Sequence, residues 1–214
     1  MYYNRRMTHE ELPAHWFERE DNSADEHFYR QPRLVTHIDD ATIEALTSYY
    51  KTFIPPEADV LDLMSSWISH LPDDLTLGRV SGLGMNAEEL AHNQRLSDWR
   101  VHNLNTNPEL PYAEAAFDRI LLAVSIQYLV QPLTVMASAS QVLRPGGQIC
   151  IAMSHRLFPT KAIAAFQRMP PEDRIQLVMA YLSSAGFVDV EFIDRSPPNA
   201  DPLWLVVGHR NSSS

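Results

Sequence analysis

Val60-Leu61-Asp62-Leu63 runs directly into Met64-Ser65-Ser66, and no other junction in the chain places so many reactive side chains together. An apolar run carrying one carboxylate reads as a buried strand that delivers Asp62 to a site. If the next residues open a helix, the amides and hydroxyls of Ser65 and Ser66 can receive a carboxylate there; the same serines can equally act as plain helix caps. Further candidates follow two later apolar runs. Ser125, Gln127 and Tyr128 come after 117–124, and Ser154, His155 and Arg156 after 148–152. His155 is a candidate base because imidazole titrates near neutral pH. Tyr128 reads equally as a site residue or as core, being flanked by Ile126 and Leu129. His70 is a candidate to orient a ligand, and Arg33 to clamp a carboxylate. His37 and Asp39 lack a third ligand at metal-site spacing. GxxxxGK[ST] is absent, and Gly82-Leu83-Gly84 is only a partial echo of GxGxxG.

These residues need a scaffold, and the pattern supplies one. Helical spacing of Ile43, Leu46, Tyr49, Tyr50 and Phe53 predicts a helix over 40–53, stopped by Pro55-Pro56. Strands are expected at 60–63, 79–83, 99–102, 117–124, 148–152, 188–193 and 203–207, with helices at 66–71, 132–143, 159–168 and 171–184. Asn86 followed by Glu89 has the form of a capping box in which Glu89 reaches back. Gly186 sits where a helix would close. Alternating strands and helices call for an α/β fold with a mostly parallel sheet covered on both faces. Residues 1–30, polar and dotted with Trp16, Phe17, Phe28 and Tyr29, read as an arm or lid, with 31–210 as the domain and a loose serine end.

Composition narrows the partners. The chain has 214 residues, 45% hydrophobic and 21% charged, enough for one substantial core. A formal net charge of −10 disfavours nucleic acid, which demands a basic patch. Cys150 rules out an internal disulfide and reads as a small buried hydrophobe. With no apolar leader or spanning run, the expectation is a cytoplasmic protein without membrane contact, acting on a small molecule.

In order and separation, Val60-Leu61-Asp62-Leu63, Leu110-Pro111-Tyr112 with Ala116-Phe117-Asp118, Val142-Leu143-Arg144-Pro145-Gly146-Gly147 and Ala185-Gly186-Phe187 resemble the class I S-adenosylmethionine-dependent methyltransferases. The resemblance covers about residue 30 to the end. It implies a Rossmann-like seven-stranded sheet with the last strand antiparallel. It further implies S-adenosylmethionine bound across the carboxyl ends of the first four strands, at the switch point of the sheet. Carried over by position, the cofactor would touch Asp62, Met64, Ser65, Ser66, Gly84, Met85, Asn86, Asn103, Leu104, Val124 and Ser125, with His155 and Tyr128 on the acceptor side.

Three departures set this chain apart from the family pattern. Glycine positions after Asp62 are Met64, Ser66 and Ile68, which restricts the backbone. The ribose-binding acid is replaced by Gly84, 22 residues beyond Asp62, leaving Asn86 as a neutral substitute. The acid that meets the adenine amino group becomes Asn103, which keeps an acceptor oxygen. The functional expectation is methyl transfer to a small molecule with an atypical loop. The alternatives are a catalytically inactive binding or regulatory protein, or a fold relative using another adenosyl ligand. On this reading Gly84→Asp would add the missing acceptor and tighten cofactor binding with little loss of stability, as calorimetric titration would show.

Overall fold

The computed structural model describes residues 12–212. The first eleven residues of the expected arm, and Ser213 and Ser214 of the loose end, lie outside the described residues. Seven strands form one sheet: β1 (Val60–Leu63), β2 (Val80–Gly84), β3 (Asp98–Val101), β4 (Phe117–Ala123), β5 (Leu143–Met153), β6 (Val188–Asp194) and β7 (Trp204–His209). Their order is β3-β2-β1-β4-β5-β7-β6. β7 runs antiparallel to both neighbours, and the pairings from β3 to β5 are parallel. β1 and β2 are buried throughout, as central strands covered on both faces are, although they carry Asp62 and Ser81. Asp62 pairs in register with Gly82 on one side and Leu121 on the other, so it stands near the carboxyl end of the central strand.

Six α-helices accompany the sheet among the described residues: α1 (Asp25–Phe28), α2 (Asp40–Phe53), α3 (Ala87–His92), α4 (Pro132–Val142), α5 (Ala164–Arg168) and α6 (Pro171–Ser184), with short 3-10 turns at Ala14–Phe17 and Ile126–Tyr128. α2 has the expected bounds. Asp39 accepts the Thr42 amide at its start, and Leu46, Tyr50 and Phe53 pack with Val60, Leu121, Cys150 and Leu205 on one face. The other face is filled from α4 and α6 by Val135, Met136, Val178 and Tyr181 against Leu61, Ile120 and Ile149. Gly186 takes φ +87° and lets the Phe187 amide reach the Leu182 carbonyl, closing α6 as a glycine at this position should.

Three expectations are corrected. No helix forms over 66–71, because Ser65 and Ser69 turn their hydroxyls onto Asp62 and Pro72 follows, so local side-chain bonds displace the helical ones. The helix expected over 159–168 contracts to α5. β5 begins at Leu143 rather than after Gly147. Its first residues bulge around Gly146 at φ +76°, while Arg144 grips Asp118 at 2.6 Å and Asp59 at 2.7 Å.

The Tyr181 hydroxyl is buried with no hydrogen-bond partner. Burying an unmet hydroxyl is unfavourable. Tyr181→Phe is therefore expected to stabilise the fold by about 1 kcal/mol, raising the calorimetric midpoint by roughly 2–4 °C.

Candidate functional site

The loop after β1 is held by its own carboxylate. Ser65 Oγ and Ser69 Oγ both donate to Asp62 Oδ2, at 2.5 and 2.6 Å, and Asn93 Nδ2 donates to Ser69 Oγ at 2.8 Å. Burial pushes the Asp62 carboxyl up to about 6, and the two serine bonds oppose that rise. Met64, where the family has glycine, keeps a left-handed backbone at φ +59°. That conformation costs a side-chain-bearing residue about 1–2 kcal/mol. It is fixed by the Asp62 clamp and by the next amide, Ser65 N–H, which donates to Leu83 O at 2.8 Å. The serines therefore do not open a helix, and their hydroxyls are spent inside the protein: Ser65 on Asp62, Ser66 on Glu89 Oε2 at 2.6 Å.

At the end of β2, Gly84 is dictated by space. A Cβ there would lie 2.2 Å from the Ser65 carbonyl oxygen, and its φ is not left-handed. The expectation that Gly84→Asp would be nearly neutral is thus overturned, because backbone cannot yield as a flexible side chain would. Asn86 does cap α3, accepting from the amides of Glu88 and Glu89, while its own amide donates to the carbonyls of Tyr29 and Arg30. Glu89 does not complete the capping box. Its carboxylate turns instead to Ser66 and to the Arg33 amide at 2.7 Å, and it is buried.

The arm lies over these strand ends. Lys161 is wholly buried, its Nζ 2.8 Å from Ser23 O, 3.1 Å from Asp21 and 3.3 Å from Asp25. Arg19 Nη1 also donates to Asp25, and Asn105 to the other Asp25 oxygen. Buried charges persist only when paired, so this cluster anchors residues 19–25. Trp67 Nε1 reaches Val35 O, and the Arg33 guanidinium lies 4.4 Å from the Phe28 ring centre.

Between arm and sheet lies a cavity of about 140 Å³. Its wall includes Asp62, Met64, Ser65, Ser66, Gly84, Met85, Asn103, Leu104, Val124, Ser125 and Tyr128 from the sequence reading, together with His37 and His70. Asn103 spends its amide on Glu26. Val124 is left-handed at φ +49°, a marked strain for a β-branched residue, and His70 at +54°. Burial pulls the His70 imidazole down to about 4, so it is neutral at pH 7, and its Nδ1 has no partner. Tyr128 accepts the Phe158 amide and stacks on that ring at 5.8 Å. Asn86 and His155 lie outside the cavity wall: Asn86 holds the arm, and His155 is drawn to Asp201 at 3.1 Å. Among the described residues no His, Cys, Asp and Glu cluster suits a metal. The sequence reading passed over Glu89 as a site residue, and Arg19, Asp25 and Lys161 altogether. A lysine inside the apolar run 158–166 was the available signal.

Two expectations follow from this geometry. Gly84→Ala should destabilise the fold by about 1–3 kcal/mol in urea unfolding, as overpacking does. Asp62, raised when folded, favours the native state as it gains a proton, so its contribution grows as pH falls from above 6 towards 4 and is lost on the way back up. Asp62→Asn should remove that slope, gaining roughly 2–3 kcal/mol on wild type between pH 4 and 7 in unfolding titrations.

Comparison with known proteins adds the following. Residues 67–151 match the family described as a methyltransferase domain. A search of curated proteins returned no match. Among solved structures, an S-adenosylmethionine-dependent methyltransferase from Mesorhizobium loti superposes with a TM-score of 0.56 at 15% identity, covering 78% of this chain and 98% of that one. The [4+2]-cyclase SpnF gives 0.60 at 14% identity, covering 78% and 81%. A phosphoethanolamine N-methyltransferase 2 from Haemonchus contortus, bound to S-adenosyl-L-methionine, gives 0.57 at 13% identity, covering 78% and 52%. The strand order, the antiparallel β7 and the domain match together show that this chain has the class I S-adenosylmethionine-dependent methyltransferase fold.

Proposed function

We propose that this chain binds S-adenosylmethionine and transfers its methyl group to a small molecule, in a cytoplasmic setting suited to its acidity. The observation that carries the reading is the cavity at the carboxyl ends of β1, β2 and β4, the switch point where ligands bind in open α/β sheets. The bound cofactor supplies a methyl group activated on a sulfonium. The residues present fit such a ligand: buried carboxylates suit its positive charge, and His70 Nδ1 is buried on the wall without a partner.

In this reading Glu89 takes over the role of the acid missing at Gly84. It is a buried carboxylate lining the same cavity as Gly84 and Met85, and two bonded neighbours leave a carboxylate with lone pairs to spare for hydroxyls. Asn103 and Leu104 flank the base, and Met64, Ser65 and Val124 the amino-acid end. The arm, anchored by Lys161, excludes water, and Tyr128 with Phe158 sets the face against which an acceptor is held. Positioning of this kind can supply most of the acceleration, so the absence of His155 from the wall does not weigh against catalysis. A second reading, a noncatalytic binder on the same fold, is favoured by the commitment of the Ser65 and Ser66 hydroxyls to internal bonds.

Calorimetric titration with S-adenosylmethionine and S-adenosylhomocysteine should show saturable binding. No heat and no thermal shift at millimolar ligand would sink the first reading. Glu89→Gln should lower the affinity by about tenfold or more, since it removes a charged acceptor.

A further inference from the structure

We propose that Arg19 and Ser125 form a subsite for a carboxylate carried by the methyl acceptor, an inference that rests on the methyl-transfer reading. Both side chains line the cavity and both are more than nine-tenths buried, at 9% and 8% exposure. Arg19 spends only Nη1, on Asp25 Oδ1 at 2.8 Å. Its Nε is buried with no hydrogen-bond partner, and Nη2 makes no hydrogen bond among the described residues. Nε and Nη2 share the edge of the guanidinium that matches the two oxygens of a carboxylate. Ser125 Oγ is likewise buried and unmet. Unpaired buried polar groups are rare and costly, and here they converge on one cavity.

The sign of the missing group follows from what is already spent. Asp25 gives Oδ1 to Arg19 and Lys161 and Oδ2 to Asn105. Arg19 therefore presents donors for which the ligand must bring the acceptor, and the Ser125 hydroxyl can donate to the same group. The charge of Asp25 is already matched by Arg19 and Lys161, with Asp21 on the far side of Lys161. Arg33, whose guanidinium bonds only the carbonyls of Phe28 and Gln31 among the described residues, adds a cation that has no carboxylate partner among them to the same wall. The stacked rings of Tyr128 and Phe158 beside it suit a planar body.

The test uses the full chain saturated with S-adenosylhomocysteine, with benzoate and benzamide as probes, followed by ligand-observed NMR and calorimetry. Benzoate should bind at least tenfold tighter than benzamide. Arg19→Lys keeps a charge beside Asp25 but loses the planar edge; it should weaken benzoate by about tenfold or more and leave S-adenosylhomocysteine within about twofold. Ser125→Ala, a smaller change that leaves the ion pairs intact, should weaken benzoate by about threefold or more. No benzoate binding, equal binding of the two probes, or indifference to both variants overturns the subsite. If Arg19→Lys weakens S-adenosylhomocysteine but spares 5′-methylthioadenosine, the carboxylate received is the cofactor's own and the acceptor assignment falls. Benzoate binding by a wild-type chain that ignores S-adenosylhomocysteine would instead keep the subsite and remove the methyl-transfer reading beneath it.

Discussion

One buried carboxylate organises the site. Asp62, at the end of the central strand, draws the hydroxyls of Ser65 and Ser69 onto one oxygen, and everything the loop does follows from that grip. It stops a helix from starting and helps hold Met64 in a backbone conformation that its side chain resists. The loop then passes so close to β2 that only glycine fits at position 84. The family's usual arrangement, flexible glycines and an acid at the second strand, is thereby exchanged for a rigid hydrogen-bonded loop with a glycine opposite. Of the seven left-handed non-glycine residues among those described, Met64, His70 and Val124 lie on the cavity wall, where packing holds the backbone against its preference.

The rewritten loop also changes what its neighbours must do. Ser66 is free to bond Glu89, Glu89 in turn holds the Arg33 amide, and Asn86 holds the carbonyls of Tyr29 and Arg30, so the arm is tied to the ends of β1 and β2. At the other end, Lys161 and Asn105 tie it through Asp25. The cavity is thus bounded by a sheet on one side and by a clasped arm on the other. The likeness to both methyltransferases and a [4+2]-cyclase belongs to the fold, and reaction chemistry must be argued from this wall.

The architecture was largely legible because it rests on short-range rules. Apolar runs marked β1 and β4, helical spacing and Pro55-Pro56 bounded α2, and Gly186 closed α6. The misplaced helix at 66–71 shows where such rules fail: residues with helical spacing were overruled by serine hydroxyls bonding a carboxylate three and seven positions away. Gly84 was recognisable as a departure, but its cause, the Ser65 carbonyl in the adjacent loop, exists only in three dimensions. Glu89 was read as a local cap because its partners, Ser66 and Arg33, are distant in sequence. The pairing of Lys161 and Arg19 with Asp25 spans 136 and 6 residues, and only the shorter of these falls within a motif-sized window.

The central claim is that a rigid, glycine-free loop still shapes an adenosyl site. A crystal structure of the chain soaked with S-adenosylhomocysteine tests it most directly. The account predicts the nucleoside across the carboxyl ends of β1 and β2, its ribose hydroxyls on Glu89, and Met64 still left-handed above an intact Asp62–Ser65–Ser69 clamp. Ligand bound elsewhere, or a loop that releases Asp62 and winds into a helix to receive it, would contradict the account.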